Sequence, residues 1–221
     1  MTAERLPREA IAQRVAAELQ DGDYVNLGVG VPMLVAGFVR PPKRVMFHAE
    51  NGVIGFGPIP EGTAPDPDLI NAGFRPVSLA PGGSVVDSVE SFAIIRGRHL
   101  DAAVLGGLQV SEQGDLANWM RSGRSVGAVG GAADIAQGAR RVYVAMEHTT
   151  RDGTLRIVRS CSYPLTAVRC VHTIFTDVAV IRVTPQGLVL EEMAPGWTVE
   201  AVQAITEPKL QVSPALKTLA V

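Results

Sequence analysis

Apolar residues four apart open the chain. Ile11, Val15 and Leu19 recur with Ala12 and Ala16 beside them, while Arg8, Glu9 and Arg14 are polar. That period predicts an amphipathic helix over residues 7–20, with Pro7 in its first turn and Gly22 as its stop. The texture then shortens. Tyr24 to Leu27 reads as a strand running into Gly28-Val29-Gly30, residues 32–39 as a short helix opened by Pro32, and Arg44 to Ala49 as a second strand. Four prolines between Gly57 and Asp68 make a surface loop. Val77 to Leu79 is a brief strand. Ser84, with Asp87 three residues on, suggests a capping box for a helix through Arg96, ended by Gly97, whose buried face takes Val85, Val89, Phe92 and either Ala93 or Ile95.

The apolar run from Asp101 to Val110 predicts a central parallel strand. Trp119 falls in a loop, Val126 to Val129 form a strand, residues 135–139 a helical turn or two, and Arg141 to Met146 a further strand. From 154 on come short β runs, over 155–161, 173–184 and 188–193, with Pro185-Gln186-Gly187 as the hairpin turn between the last two. Thr198 caps a final helix to Ile205 with Ala201 and Ile205 facing in. Strand–helix alternation over the first 145 residues argues for an α/β fold: a mainly parallel open sheet with flanking helices, and a β-rich C-terminal part adding antiparallel strands at one edge. No linker interrupts the pattern, so residues 1–221 read as a single domain.

Composition narrows the function. With 47% hydrophobic and 19% charged residues the chain can bury a sizeable core and is too apolar for disorder. A net charge of −2, with both signs interspersed, leaves no basic stripe for nucleic acid. No apolar run approaches the roughly 18 residues of a membrane helix. The N-terminus lacks a hydrophobic signal core, so a cytoplasmic location is expected. Cys161, Cys170, His48, His99, His148 and His172 have no metal-ligand spacing, and no metal is expected. Gly28-Val29-Gly30 begins like a dinucleotide fingerprint, but Met33 stands at the third glycine position, which argues against NAD.

Glycines cluster where apolar runs end: Gly28 and Gly30, Gly82 and Gly83, Gly106 and Gly107, Gly130 and Gly131. Such pairs suggest backbone approaching a ligand along one edge of a sheet. At one run's end stands Glu50, followed by the turn pair Asn51-Gly52. The residues alone leave two readings of Glu50. It is a turn carboxylate reaching solvent or a helix N-terminus, or it is a nucleophile or acid/base group at the carboxyl end of a strand, where open α/β sheets bind ligands.

FHAENGVIG (47–55) resembles the active-site signature of the family I coenzyme A transferases. So, in order, do YVNLGVGVP (24–32), DLINAG (68–73), ESFAIIRG (90–97), GGLQVSEQGDLANW (106–119), VGGAADIAQGARRV (129–142), MEHTT (146–150) and PLT (164–166), and the chain is similar to that family's beta subunit over nearly its whole length. One departure stands out: Ala49 occupies the place of a usual Ser. The resemblance implies the fold shared with certain phosphosugar isomerases, and Glu50 as the nucleophile of a double displacement through a glutamyl-CoA thioester. It places Gly131 and Ala132 beside the reacting carboxylates. Asn26, at the strand end before Gly28, is either an oxyanion donor there or a capping or turn residue, and Gly28, Gly30 and Gly130 are expected against the coenzyme A thioester, a substrate rather than a permanently bound cofactor. The resemblance implies an alpha-subunit partner in an α2β2 assembly, and succinyl-CoA with acetoacetate or 3-oxoadipate. Residues 120–134 lack the Met-rich pattern of acetoacetate enzymes, which leans toward 3-oxoadipate. His48 reads as a packing or orienting residue, Asn51 as a turn former and the Glu147-His148 pair as structural. An acyl-CoA hydrolase and a non-catalytic ligand sensor on the same fold stand as alternatives.

Overall fold

The computed structural model describes residues 4–121 and 128–219. Its elements in order are α1 (Arg8–Glu18), β1 (Tyr24–Leu27), α2 (Val31–Leu34) continuing as a 3-10 turn (Val35–Phe38), β2 (Met46–Ala49), β3 (Val53–Gly57), β4 (Ser78–Val85), α3 (Ser88–Arg96), β5 (Ala102–Leu105), β6 (Gln109–Ser111), β7 (Leu116–Ala117), α4 (Ala132–Gly138), β8 (Arg141–Ala145), β9 (Ile157–Val158), β10 (Thr173–Phe175), β11 (Ala179–Thr184), β12 (Gly187–Met193), α5 (Val199–Ala204) and β13 (Leu210–Thr218). Ten strands form one sheet in the order β13-β12-β11-β10-β8-β5-β1-β2-β3-β4, and β7-β6-β9 form a small second sheet.

The central strands β2, β1, β5, β8 and β10 are parallel. Buried on both faces, they alternate between two cores. Ala103, Leu105, Val142 and Val144 face the core beneath α3 and α4, while Ala102, Val104, Tyr143 and Ala145 face the one beneath α1. This explains why their sequences are continuously apolar rather than alternating. α1 buries Ile11, Ala12, Val15 and Ala16 as its period requires. The C-terminal strands add antiparallel pairs β10–β11 and β11–β12, as expected, but β13 then joins β12 in parallel. On the other edge β2–β3 and β3–β4 are antiparallel too.

Several expectations are corrected. The run from Asp101 to Val110 is two strands in two sheets, because Gly106-Gly107 turn the chain and the Leu108 amide bonds to Ala117. Asp87, not Ser84, caps α3: its carboxylate accepts from the Glu90 amide at 2.8 Å, and Ser84 belongs to β4. The buried face of α3 is accordingly Ser91 and Ile95, with Phe92 half-buried, whereas Val85, Val89 and Ala93 are exposed. Pro81-Gly82-Gly83 lie inside the irregular edge strand β4 rather than at a ligand-facing turn. In α5 Val202 is the buried residue, and Ala201 and Ile205 are only half-buried. The strand expected over 126–129 falls partly outside the described residues.

Candidate active site

Period-two geometry assembles the site. Asn26 is the register partner of His48 on the neighbouring parallel strand, so Tyr24, Asn26, His48 and Glu50 project toward the α3/α4 face. Glu50 itself begins a three-residue loop between β2 and β3, in which the Gly52 amide bonds back to Ala49 at 2.9 Å. Gly52 has φ +116°, and a Cβ there would collide with the Val86 carbonyl oxygen, so only glycine closes this loop against the segment leading into α3. Asn51 Nδ2 donates to the Ile70 carbonyl at 2.8 Å, the structural role expected of it. The Ala49 side chain belongs to the opposite core, with Phe47 and Val53. A hydroxyl there would point away from the carboxylate, so the departure from Ser leaves the surroundings of the Glu50 side chain intact.

Glu50 opens on a cleft of about 330 Å³ lined by Gly28, Gly106, Gly107, Asn118, Gly130 and Gly131, among others. Three of the four glycine pairs thus contribute to this edge, and the close approaches explain why. A Cβ at Gly28 would lie 3.2 Å from the Val104 oxygen, one at Gly107 2.8 Å from Met146 Sδ, and one at Gly131 2.8 Å from Phe92 Cζ and 3.4 Å from Glu50 Cγ. Ala132 also lines the cleft, but its amide donates to the Val129 carbonyl at 3.4 Å, which starts α4 and turns that N–H away from a substrate. Gly30 is not among the lining residues; at φ +91° it turns the chain into α2. Clefts of larger volume lie at Arg5, Glu147 and Thr149 and at Arg169, His172 and Lys209, and neither contains Glu50.

Behind the carboxylate runs a buried polar chain. Asn26 Nδ2 donates to Glu50 Oε2 at 3.2 Å and faces His48 Nδ1 at 3.1 Å; His48 Nε2 faces Ser91 Oγ at 3.0 Å. Asn26, His48 and Ser91 are each fully buried. Burial pushes the His48 imidazole down to about 4, so at neutral pH it carries one proton. Because Asn26 supplies the hydrogen toward Nδ1, that proton is on Nε2 and goes to Ser91. The Tyr24 ring meets the imidazole edge-on, 5.5 Å between centroids. His48 is thus a buried, neutral imidazole bonded at both ring nitrogens, consistent with a packing or orienting residue.

Glu147 and His148 stand apart from the cleft. Glu147 pairs with Arg8 at 2.7 Å, and His148, fully buried, bonds Thr176 Oγ1 and Thr206 Oγ1 at 2.9 Å each. Both are structural. Among the described residues no group of three or more His, Cys, Asp and Glu could hold a metal ion, and no helix is long and apolar enough to cross a membrane. Two site residues escaped the sequence reading. Ser91 could have been found from its i, i+4 spacing to Ile95, which puts a hydroxyl on a buried helix face. Asn118, whose Nδ2 donates to the Gly106 carbonyl at 3.2 Å and whose Oδ1 accepts from Thr166 Oγ1 at 2.6 Å, was legible only as part of a matching stretch.

A carboxylate backed by a buried, neutral polar chain stands at the glycine-lined carboxyl ends of parallel strands, the place where open α/β sheets bind ligands. The chain belongs to the coenzyme A transferase family, whose model matches residues 8–204, and within it the chain is a component of the beta type. It is 48% identical over 203 residues to the B subunit of the 3-oxoadipate CoA-transferase of Pseudomonas putida, covering 91% of this chain and 95% of that one. It is 46% identical over 211 residues to the beta subunit of the acetate CoA-transferase of Escherichia coli, covering 96% of each. An acyl-CoA transferase from Escherichia coli O157:H7 superposes with a TM-score of 0.77 at 20% identity, over all of this chain and 45% of that one, a likeness of fold.

Proposed function

We propose that Glu50 is the nucleophile of a coenzyme A transfer between two carboxylic acids. The observation that carries this is a half-exposed carboxylate held by Asn26 at 3.2 Å and opening on a cleft lined in part by five glycines, Gly28, Gly106, Gly107, Gly130 and Gly131. A Glu50 oxygen attacks the thioester carbonyl, the C–S bond breaks and CoA leaves as thiolate, giving a mixed anhydride. The thiolate attacks the glutamyl carbonyl carbon, the anhydride C–O bond breaks, and the first acid departs, leaving glutamyl-CoA. The acceptor carboxylate reverses the sequence. Exchange between thioesters is nearly balanced in energy, so catalysis rests on positioning and oxyanion stabilisation. In this reading Asn26 Nδ2 meets the negative charge that develops on the glutamyl carbonyl oxygen, and Gly131, beside Glu50 Cγ, leaves room for the incoming acyl group.

The donor proposed is succinyl-CoA and the acceptor a 3-oxo acid, 3-oxoadipate before acetoacetate, in keeping with the similarity to the Pseudomonas putida protein. An alpha subunit completes the enzyme, as an α2β2 assembly. Relatives of matching length are named as B or beta subunits, and Val29 and Val129 stand exposed on the rim of the cleft, where a partner would cover them. Treating the assembled enzyme with succinyl-CoA and then borohydride is expected to alter Glu50 alone, by mass mapping. Label on another residue overturns the assignment, and CoA release without an acceptor acid would make the protein a hydrolase.

A further inference from the structure

The polar chain behind Glu50 does more than fill space. Its three members come from three elements, β1, β2 and α3, and all are fully buried. Each donor has one acceptor to meet: Ser91 Oγ takes the His48 Nε2 proton, and His48 Nδ1 takes one Asn26 hydrogen. That leaves the second Asn26 hydrogen aimed at Glu50 Oε2. Turning the amide over would set its own oxygen against the Glu50 carboxylate and lose that bond.

This arrangement has a measurable cost. Asn26 Oδ1 is buried with no hydrogen-bond partner among the described residues. An orphaned acceptor in a closed core is unfavourable, and native structures keep such groups where function requires the geometry. The fold thus tolerates an unsatisfied oxygen so that both amide hydrogens face His48 and Glu50.

We infer that Ser91 and His48 are positioning residues which, through Asn26, pin Oε2 of Glu50, so that Oε1 alone attacks and leaves while Oε2 stays as the carbonyl oxygen of every acyl intermediate. The inference rests on the nucleophile reading of Glu50. Its consequence follows from where the bonds break. When an acceptor carboxylate attacks glutamyl-CoA, one of its oxygens bridges to the glutamyl carbon. When the thiolate then attacks the acceptor's carbonyl carbon, that bridging oxygen stays on Glu50 as the carboxylate is regenerated. With Oε2 pinned, each turnover replaces the same oxygen; with a rotating carboxylate, both are replaced in time.

The test is isotopic. The enzyme, assembled with its alpha subunit, is cycled for many turnovers with an acceptor acid carrying heavy oxygen at both carboxylate positions, and the Glu50 peptide is weighed. The wild type is expected to take up one heavy oxygen and no more. His48→Leu, which keeps bulk but neither accepts nor donates, is expected to take up two and to lose about 10²-fold in kcat with little change in KM, as a nucleophile off by an ångström would. His48→Gln, which offers both an acceptor and a donor, is expected to restore single labelling. Ser91→Ala is a smaller change, expected to show partial second labelling in folded protein. Two heavy oxygens in the wild type overturn the pin. Single labelling in both His48→Leu and Ser91→Ala shows that these residues only pack. No heavy oxygen on Glu50 at all refutes the nucleophile itself, and the inference with it.

Discussion

The Cβ that Gly131 lacks would sit between two other side chains, 2.8 Å from Phe92 Cζ and 3.4 Å from Glu50 Cγ. Gly131→Val therefore crowds the core side and the substrate side at once, and the two effects separate. Overpacking against Phe92 is expected to cost about 1–3 kcal/mol of stability. Crowding beside Glu50 is expected to raise KM. Adding Phe92→Leu should recover the melting temperature but not KM; recovery of both would mean that Gly131 matters only for packing.

Gly52 should be as intolerant for a different reason. Its φ of +116° and the Val86 carbonyl against it strain any side chain. Gly52→Ala is expected to lose about 1–3 kcal/mol from the backbone alone. Because Glu50 shares the loop, exchange activity should fall further than the folded fraction does. Urea titration and steady-state kinetics on one preparation compare the two losses.

Acid should unfold the protein through its buried imidazoles. In the unfolded chain a histidine binds its proton near 6.5, whereas burial lowers His48 to about 4 and His148 to about 3. Between those values the unfolded chain binds more protons than the folded one. Stability is therefore full above about 6.5 and declines as pH falls toward 4. The urea midpoint measured from pH 7.5 to 4.5 is expected to drop steadily, and His148→Gln to flatten the slope. An unchanged slope would assign the acid sensitivity elsewhere.

The sheet's far side offers an ion pair to test. Arg14 of α1 holds Glu192 of β12 with two hydrogen bonds of 2.7 Å, both side chains largely buried, and stacks over the Phe175 ring. Arg14→Ala strands the Glu192 carboxylate and is expected to cost about 1–3 kcal/mol. Arg14→Met with Glu192→Leu removes both charges and should recover most of that. A double variant no more stable than the single one would show that Arg14 acts through packing alone.

The central strands and α1 were legible because burial on two faces, or on one helical stripe, writes itself into apolar spacing. Glu50 and Gly131 stand out as a polar and a side-chain-free residue where apolar runs end, yet the residues alone leave two readings of Glu50, and it is the family resemblance that singles out its role. What escaped was set by tertiary context. β13 carries Pro214 and its sequence announces no strand; as a mostly exposed edge strand, with the pairing register shifting between Leu190 and Glu192, it accommodates the proline. Pro81-Gly82-Gly83 read as a turn and form an edge bulge for the same reason. α3 misled through Val85 and Val89, whose apolar character marks an outer surface rather than the core. Ser91 could not be paired with His48, 43 residues away, without the sheet between them.

Strand order explains why a hollow exists beside Glu50 at all. From β1 the chain steps to β2 on one side, with its helical turns on the α1 face; it later returns past β1 to β5 and moves on to β8, with α3 and α4 on the other face. Right-handed crossovers travelling in opposite directions must lie on opposite faces. The chain leaving β1 and the chain leaving β5 are thus drawn apart, and a gap opens above their shared boundary whatever residues line it. The hollow is in this sense a property of connectivity. Substitutions along its rim can change what fits there, but closing it would require rethreading the sheet.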